Sequence, residues 1–223
     1  MESLDQIKSR IEAAVPGAKI DIVPNGSPSQ QHSLLIDNEH AVAVARFLRV
    51  DPVLCLDFCS NVTGVDWLDP VVKKTTKVKK VVDGQEKEIV ETTEEKIPGY
   101  LEAVYHLYSM THKHGPVIIR MRTRDRAEGA RVPSLTLIWR SAEFQEREIF
   151  DLYGIHFEGH PDQRRILMWD EFQDHPMQKD YREPDDYEWE PTPHDQVLEK
   201  AKGHFQPRPQ IDGAEGIVEP LKG

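Results

Sequence analysis

The chain has 223 residues, 38% hydrophobic and 30% charged, with a formal net charge of −11. That length holds one domain of roughly 130–160 residues with appendages, or two small domains. The charge excludes a general nucleic-acid binder, which needs clustered Lys and Arg, and direct adhesion to an anionic membrane.

Leu4, Ile7, Ile11 and Val15 recur at helical spacing, and Pro16-Gly17 ends that helix. No window approaches the ~20 apolar residues of a membrane span, and the early acids exclude a signal peptide. A cytoplasmic chain is expected, touching a membrane only through partners. Residues 19–23 and Ser33–Ile36 read as strands, and Asp37 or Asn38 is the expected N-cap of a helix reaching about Arg49. Residues 53–62 read as a buried strand with Cys55, Asp57 and Cys59 on one face and Leu54, Leu56 and Phe58 on the other. Two thiols give neither a disulfide framework nor the four ligands of a typical iron–sulfur cluster.

Residues 71–97 form a basic arm and an acidic arm around Asp83-Gly84, a strong hairpin signal. A two-residue turn sets Val78 opposite Ile89 and Lys79 opposite Glu88. This hairpin reads as a protruding insertion, with a partner-binding finger as the sharper alternative. Strands follow at 100–110 and 116–124, the second alternating outward Arg120, Arg122 and Arg124 with Ile119, Met121 and Thr123. The expected fold class is α+β, a mixed sheet packed with helices.

Ser141 or Ser134 is the expected cap of a helix ending at Gly154. On it Glu143–Arg147 and Arg147–Asp151 have i,i+4 spacing, and Ile149, Leu152 and Tyr153 make the apolar stripe. Such pairs usually sit on a solvated face. Eight of the sixteen prolines lie beyond Gly159, together with Trp169, Phe172, Tyr181, Tyr187, Trp189 and Phe205. Proline prevents this region from folding on itself, while the aromatics argue against plain disorder. The organisation expected is a globular domain over 1–154 and an extended Pro-rich C-terminal docking arm over 155–223.

Catalytic readings are weaker. His156 and His160 have metal-pair spacing, but Gly154, Gly159 and Pro161 oppose a helix there, and His112 and His114 lack carboxylate companions. Glu146, Glu148 and Asp151 could do acid–base work but lie on what reads as an exposed helix without a pocket. Neither a phosphate loop nor a nucleophile elbow occurs.

Glu146-Arg147-Glu148, Asp151-Leu152-Tyr153, then His160, Arg164, Ile166 and Leu167, followed by His175-Pro176-Met177-Gln178-Lys179-Asp180-Tyr181, resemble the signature of the 30-kDa-type subunit of respiratory complex I, the C-type component of the bacterial enzyme. Phe144, Asp174 and Gln178 stand where that family commonly has Trp, Gly and Arg. The resemblance implies a non-redox structural subunit of proton-translocating NADH–quinone oxidoreductase. It would lie in the peripheral arm, on the cytoplasmic side of the inner membrane, beside the hydrogenase-like, D-type subunit of the quinone pocket and the cluster-bearing B-type and I-type subunits. FMN and the iron–sulfur clusters would belong to other subunits of the complex, with no cofactor, metal or catalytic residue in this chain. The implied interface residues are Glu146, Arg147, Glu148, Asp151, His160, Arg164, Arg165, His175, Lys179 and Asp180. Arg164→Ala or Arg165→Ala should then lower complex yield while the domain stays folded. Rival readings are the equivalent subunit of a membrane-bound hydrogenase or of a ferredoxin- or plastoquinone-linked complex, a metal-dependent hydrolase using His156 and His160, and a free adaptor with an acidic tail.

Overall fold

A computed structural model describes residues 2–69, 98–170, 172 and 174–182, and the backbone of 71–82 and 85–96. Helix α1 (Leu4–Ala14) opens on Ser3, whose hydroxyl accepts from the Gln6 amide while the Gln6 side chain accepts from the Ser3 amide. This reciprocal box satisfies two of the orphan donors at a helix start. Strands β1 (Ile20–Val23) and β2 (Ser33–Ile36) follow, then α2 (Ala41–Val50). The α2 N-cap is His40, without a side-chain cap. The expected cap Asp37 instead accepts from the Lys19 and His40 amides, and Asn38 donates to the Arg122 carbonyl.

The expected strand over 53–62 begins later, as β3 (Phe58–Trp67). The Asp51 carboxylate accepts from the Val53 and Leu54 amides, and the Asp51 carbonyl from Cys55, winding a turn that puts Cys55 at φ +40°. A left-handed residue cannot extend a strand, so the expected alternation fails. Leu54, Leu56 and Cys59 are buried while Phe58 is exposed.

Strands β4 (Val71–Val82) and β5 (Gln85–Lys96) pair antiparallel, with Val78 opposite Ile89 and Lys79 opposite Glu88, the register expected from the sequence. The turn at Asp83-Gly84 lies outside the described residues. Strands β6 (Tyr100–Ser109) and β7 (His114–Arg122) complete a five-stranded mixed sheet of order β1-β2-β7-β6-β3, in which β2 and β7 run parallel and the other neighbours antiparallel. Leu101, Ala103, Tyr105 and Leu107 alternate with Val117, Ile119 and Met121 into one core, shared with Ile7 and Ile11 of α1 and Val44, Ala45 and Leu48 of α2. The result is α+β, as expected. On β7, Arg120 and Arg122 are not simply solvent-facing: both close on Glu102, fully buried on β6, at 3.1 and 2.6 Å.

Beyond β7, β8 (Arg131–Pro133) and a 3-10 turn (Arg140–Ala142) lead into α3 (Glu143–Tyr153), and β9 (His156–Glu158) pairs parallel with β8. Neither Ser134 nor Ser141 caps α3. Its N-cap is Ala142, Ser141 donates to the Cys59 carbonyl, and Ser134 turns toward Glu146. Gly154 ends α3 at φ +79°, as the sequence predicts. Ile155 and Phe157 belong to the core, and the compact unit runs through Tyr181. The globular part therefore extends past the boundary expected at 154. The arm expected beyond Arg182 lies outside the described residues.

Candidate functional site

The charge-dense stretch folds onto α3 rather than standing off it. Glu146 and Asp151 are both fully buried, and Arg147 nearly so; of this helix's charged residues Glu148 alone is exposed. Neither i,i+4 pair forms among the ion pairs of the described residues. Arg147 instead donates from Nε to the Arg164 carbonyl at 3.1 Å and from its second terminal nitrogen to the Arg165 carbonyl at 3.1 Å, with Asp162 at 3.6 Å. The planar guanidinium fork thus reads two carbonyls of one passing segment.

Asp151 holds the same segment. One carboxylate oxygen accepts the amides of Ile166, Leu167 and Met168 at 3.1, 2.7 and 2.8 Å, and the other accepts from Arg165 at 2.6 Å. Burial pushes this carboxyl up, but the three amides and the guanidinium outweigh it and leave it below the usual aspartate range. The last carbonyls of α3, which no helical amide can reach, take donors from the same strap. The Asp151 carbonyl accepts from His175 Nδ1 at 2.9 Å, that of Leu152 from the Met177 amide at 3.0 Å, and that of Tyr153 from Gln178 at 2.8 Å. His160 adds a staple, its Nε2 donating to the Glu143 carbonyl at 3.0 Å while Nδ1 accepts the Asp162 amide.

A second clip fixes the end of the strap to the sheet. Arg126 donates to both oxygens of Asp66 on β3 at 2.6 and 2.8 Å and to Asp180 at 3.1 and 2.6 Å, and the Lys179 amide reaches Asp66 at 2.8 Å. Residues 162–181 are therefore buttoned down at both ends. Glycine makes two of these approaches possible. A Cβ at Gly154 would lie 2.6 Å from the His175 ring, and one at Gly64 would lie 2.5 Å from the Tyr153 ring.

Glu146 faces the opposite way, into the core. It has no cation among its hydrogen-bond partners, only Tyr105, Ser134, Thr136 and the Leu135 amide. Nearby, burial above all pushes the Cys59 thiol up to about 12, so it behaves as a small apolar group.

Of the ten sequence-predicted residues, Arg147, Asp151, His160, Arg165, His175, Lys179 and Asp180 meet around the strap. Glu146 lies beneath it, while Glu148 and Arg164 face solvent. Sequence reasoning missed Asp66, Arg126, Glu102 and Tyr105. The one signal for them was a lone carboxylate inside an apolar strand, as Glu102 is in the run 100–109. His156 lies on β9 and His160 serves the staple. Among the described residues the group close enough to share a metal is Asp37, Glu39 and His40, with Asp37 already committed to the Lys19 and His40 amides.

Beside the outward Glu148 and Arg164, α3 and the strap also expose large apolar side chains: Phe144 and Leu167 are 61% and 62% exposed, with Met177 and Ile166 exposed as well. The Arg147 guanidinium lies 5.6 Å from the Phe144 ring centre.

The family model "Respiratory-chain NADH dehydrogenase, 30 Kd subunit" matches residues 34–187, from β2 past the end of the strap. The chain is 36% identical over 151 residues to the second C-type component of the NADH-quinone oxidoreductases of Rhizobium meliloti, covering 67% of this chain and 65% of that protein. To the corresponding C-type component of NADH-quinone oxidoreductase in Coxiella burnetii it is 35% identical over 184 residues, covering 79% and 74%. Against that of Saccharopolyspora erythraea it is 34% identical and spans 47% of that protein's length. In fold it matches a chain of the membrane-bound sulfane sulfur reductase, an archaeal respiratory membrane complex, with a TM-score of 0.52 at 17% identity, covering 96% of this chain and 98% of that one. With a family match over more than half its length, and relatives above 30% identity across most of it, the chain belongs to the 30 kDa subunit family of respiratory-chain NADH dehydrogenase.

Proposed function

We propose that this chain is a non-redox structural subunit of the peripheral arm of a proton-translocating NADH–quinone oxidoreductase. It docks the hydrogenase-like quinone-pocket subunit and the cluster-bearing subunits on the cytoplasmic side of the membrane, and FMN and the iron–sulfur clusters lie in partner subunits. One observation carries this reading. The charged signature is consumed inside the chain, clasping residues 162–181 to α3, so that Phe144, Ile166, Leu167 and Met177 stay outward on a fixed backbone. Side chains this large and this exposed, grouped on rigid main chain, suit a protein interface with an apolar centre. Among the described residues no helix is long and apolar enough to cross a membrane, consistent with attachment through partners.

A second reading keeps the fold and changes the enzyme, because the same architecture occurs in a chain of the sulfane sulfur reductase complex. The test is to tag the full chain, solubilise membranes in detergent and identify what co-purifies. NADH- and flavin-binding polypeptides support the first reading, and a hydrogenase-type set without them supports the second. Leu167→Asp should strip the partners while leaving the chain's circular dichroism unchanged. Isolation as a lone monomer from native membranes would overturn both.

A further inference from the structure

Proton counting around Glu146 assigns a charge state to the core of the molecule. Three oxygens form a closed triangle: Glu146 Oε2 to Ser134 Oγ at 2.6 Å, Glu146 Oε2 to Thr136 Oγ1 at 3.0 Å, and Ser134 Oγ to Thr136 Oγ1 at 3.0 Å. Each edge is hydrogen-bond length, and each needs a hydrogen. The two hydroxyls supply two. If Glu146 is a carboxylate, both hydroxyls point at Oε2, and the Ser134–Thr136 edge becomes two lone pairs facing each other at 3.0 Å.

A third hydrogen closes the triangle. With Oε2 protonated, Glu146 donates to Ser134, Ser134 donates to Thr136, and Thr136 donates back to Oε2. The Ser134 oxygen also accepts the Thr136 amide at 3.2 Å. Oε1 is left as a carbonyl oxygen with two acceptor sites, filled by the Leu135 amide at 2.9 Å and the Tyr105 hydroxyl at 3.0 Å. Every donor in the cluster, and both acceptor sites of Oε1, are then used.

We infer that Glu146 is a proton-binding site of the folded chain and holds its carboxyl neutral at pH 7, as an uncharged bolt between α3, β6 and the 134–136 loop. The surroundings agree from every element packed on it. From β3 comes Cys59, buried as a thiol; from β6, Tyr105, whose burial drives its phenol well above the ordinary range; from the loop, two hydroxyls. On α3 itself Arg147 is committed to the strap carbonyls and Asp151 to Arg165. Loss of solvation is the largest influence on Glu146 and raises its pKa despite four donors.

The experiment is infrared difference spectroscopy on the full chain at pH 7, wild type minus Glu146→Gln, in H2O and D2O. A protonated carboxyl gives a C=O stretching band that shifts on deuteration, and the difference spectrum should contain one. Glutamine keeps the site uncharged, its oxygen taking the Oε1 acceptor role and its amide group donating toward Ser134, but its nitrogen cannot accept the Thr136 hydroxyl, which must turn away. Glu146→Gln should therefore lower the denaturation midpoint only slightly, by the one lost Thr136 bond, while Glu146→Ala falls well below it. Should Glu146→Gln not fold, wild type alone decides, because an alkaline pH jump must bleach the band. Above the ordinary glutamate value of 4.5, the wild-type unfolding constant should rise by up to tenfold per pH unit relative to Glu146→Gln, the slope of one proton. A wild-type spectrum at pH 7 without an acid C=O band would overturn the assignment, as would Glu146→Gln losing as much as Glu146→Ala.

Discussion

Asp151 and Glu146 share a helix and full burial, yet their partners send them in opposite directions. Burial acts upward on Asp151, but three amides and Arg165 more than offset it. Its folded pKa lies below the unfolded value of 3.8, so its contribution is present above that pH and is lost as the pH falls through the folded value. Asp151→Asn should lower the denaturation midpoint at neutral pH and flatten the acid limb of a midpoint-against-pH series; an unchanged acid limb would count against the clasp. Glu146 has the reverse linkage, its stabilising proton being lost on the alkaline side. The two arginines that look alike in sequence also separate. Arg165 caps a fully buried carboxylate, and removing one member of such a pair costs about 3 kcal/mol, so Arg165→Ala should shift the urea midpoint markedly. Arg164 is 72% exposed and meets the surface Asp162, so Arg164→Ala should leave that midpoint in place. Both arginines were expected from sequence to serve a partner interface; Arg165 is instead paired within the chain, on Asp151.

At the scale of elements, α3 and its strap form one unit, joined at Gly154. Alanine there would add left-handed backbone strain of roughly 1–2 kcal/mol and press a methyl into the His175 ring. Gly154→Ala should release the strap first: trypsin should cut faster at the exposed Lys179, and the Met177 amide should exchange faster, before the sheet unfolds. Equal protection in both chains would mean the strap is held elsewhere. These same elements show where sequence reasoning reached. The two-residue Asp83-Gly84 turn signal was enough for the β4–β5 register. Apolar periodicity was enough for α1 and β2, because burial of one face decides them. It failed at 53–57, where the Asp51 side chain competes for backbone amides and turns a strand-like run into a left-handed corner. It failed again on α3, where i,i+4 spacing offered charge pairs worth a few tenths of a kcal/mol. Backbone groups a dozen or more residues away offered stronger partners in a dry site. The candidate residues were legible as a cluster; their direction, inward to the strap rather than outward to a neighbouring polypeptide, depended on tertiary contacts that spacing does not encode.

For the molecule as a whole, the question is which part meets the partner subunits. Residues 183–223 hold ten acidic and four basic side chains, so cutting the chain after Arg182 takes its formal charge from −11 to −5. The compact unit ends at Tyr181, and the strap is anchored in it through Asp151, Arg147, Asp66 and Arg126. The shortened chain should therefore still fold, with a cooperative urea transition. Binding is a different matter. If the acidic segment docks on a basic neighbour, the full chain should lose partners as ionic strength rises, because exposed charges are screened beyond about 8 Å at physiological salt, and the shortened chain should bind weakly at every salt concentration. If the apolar surface around Leu167 dominates instead, the shortened chain should keep its partners with little salt dependence, and Leu167→Asp should release them. Pull-downs of the full, shortened and Leu167→Asp chains across a salt series separate these outcomes. Retention of all partners by a shortened chain that also carries Leu167→Asp would remove both surfaces from the assembly and, with them, the docking role assigned to this side of the molecule.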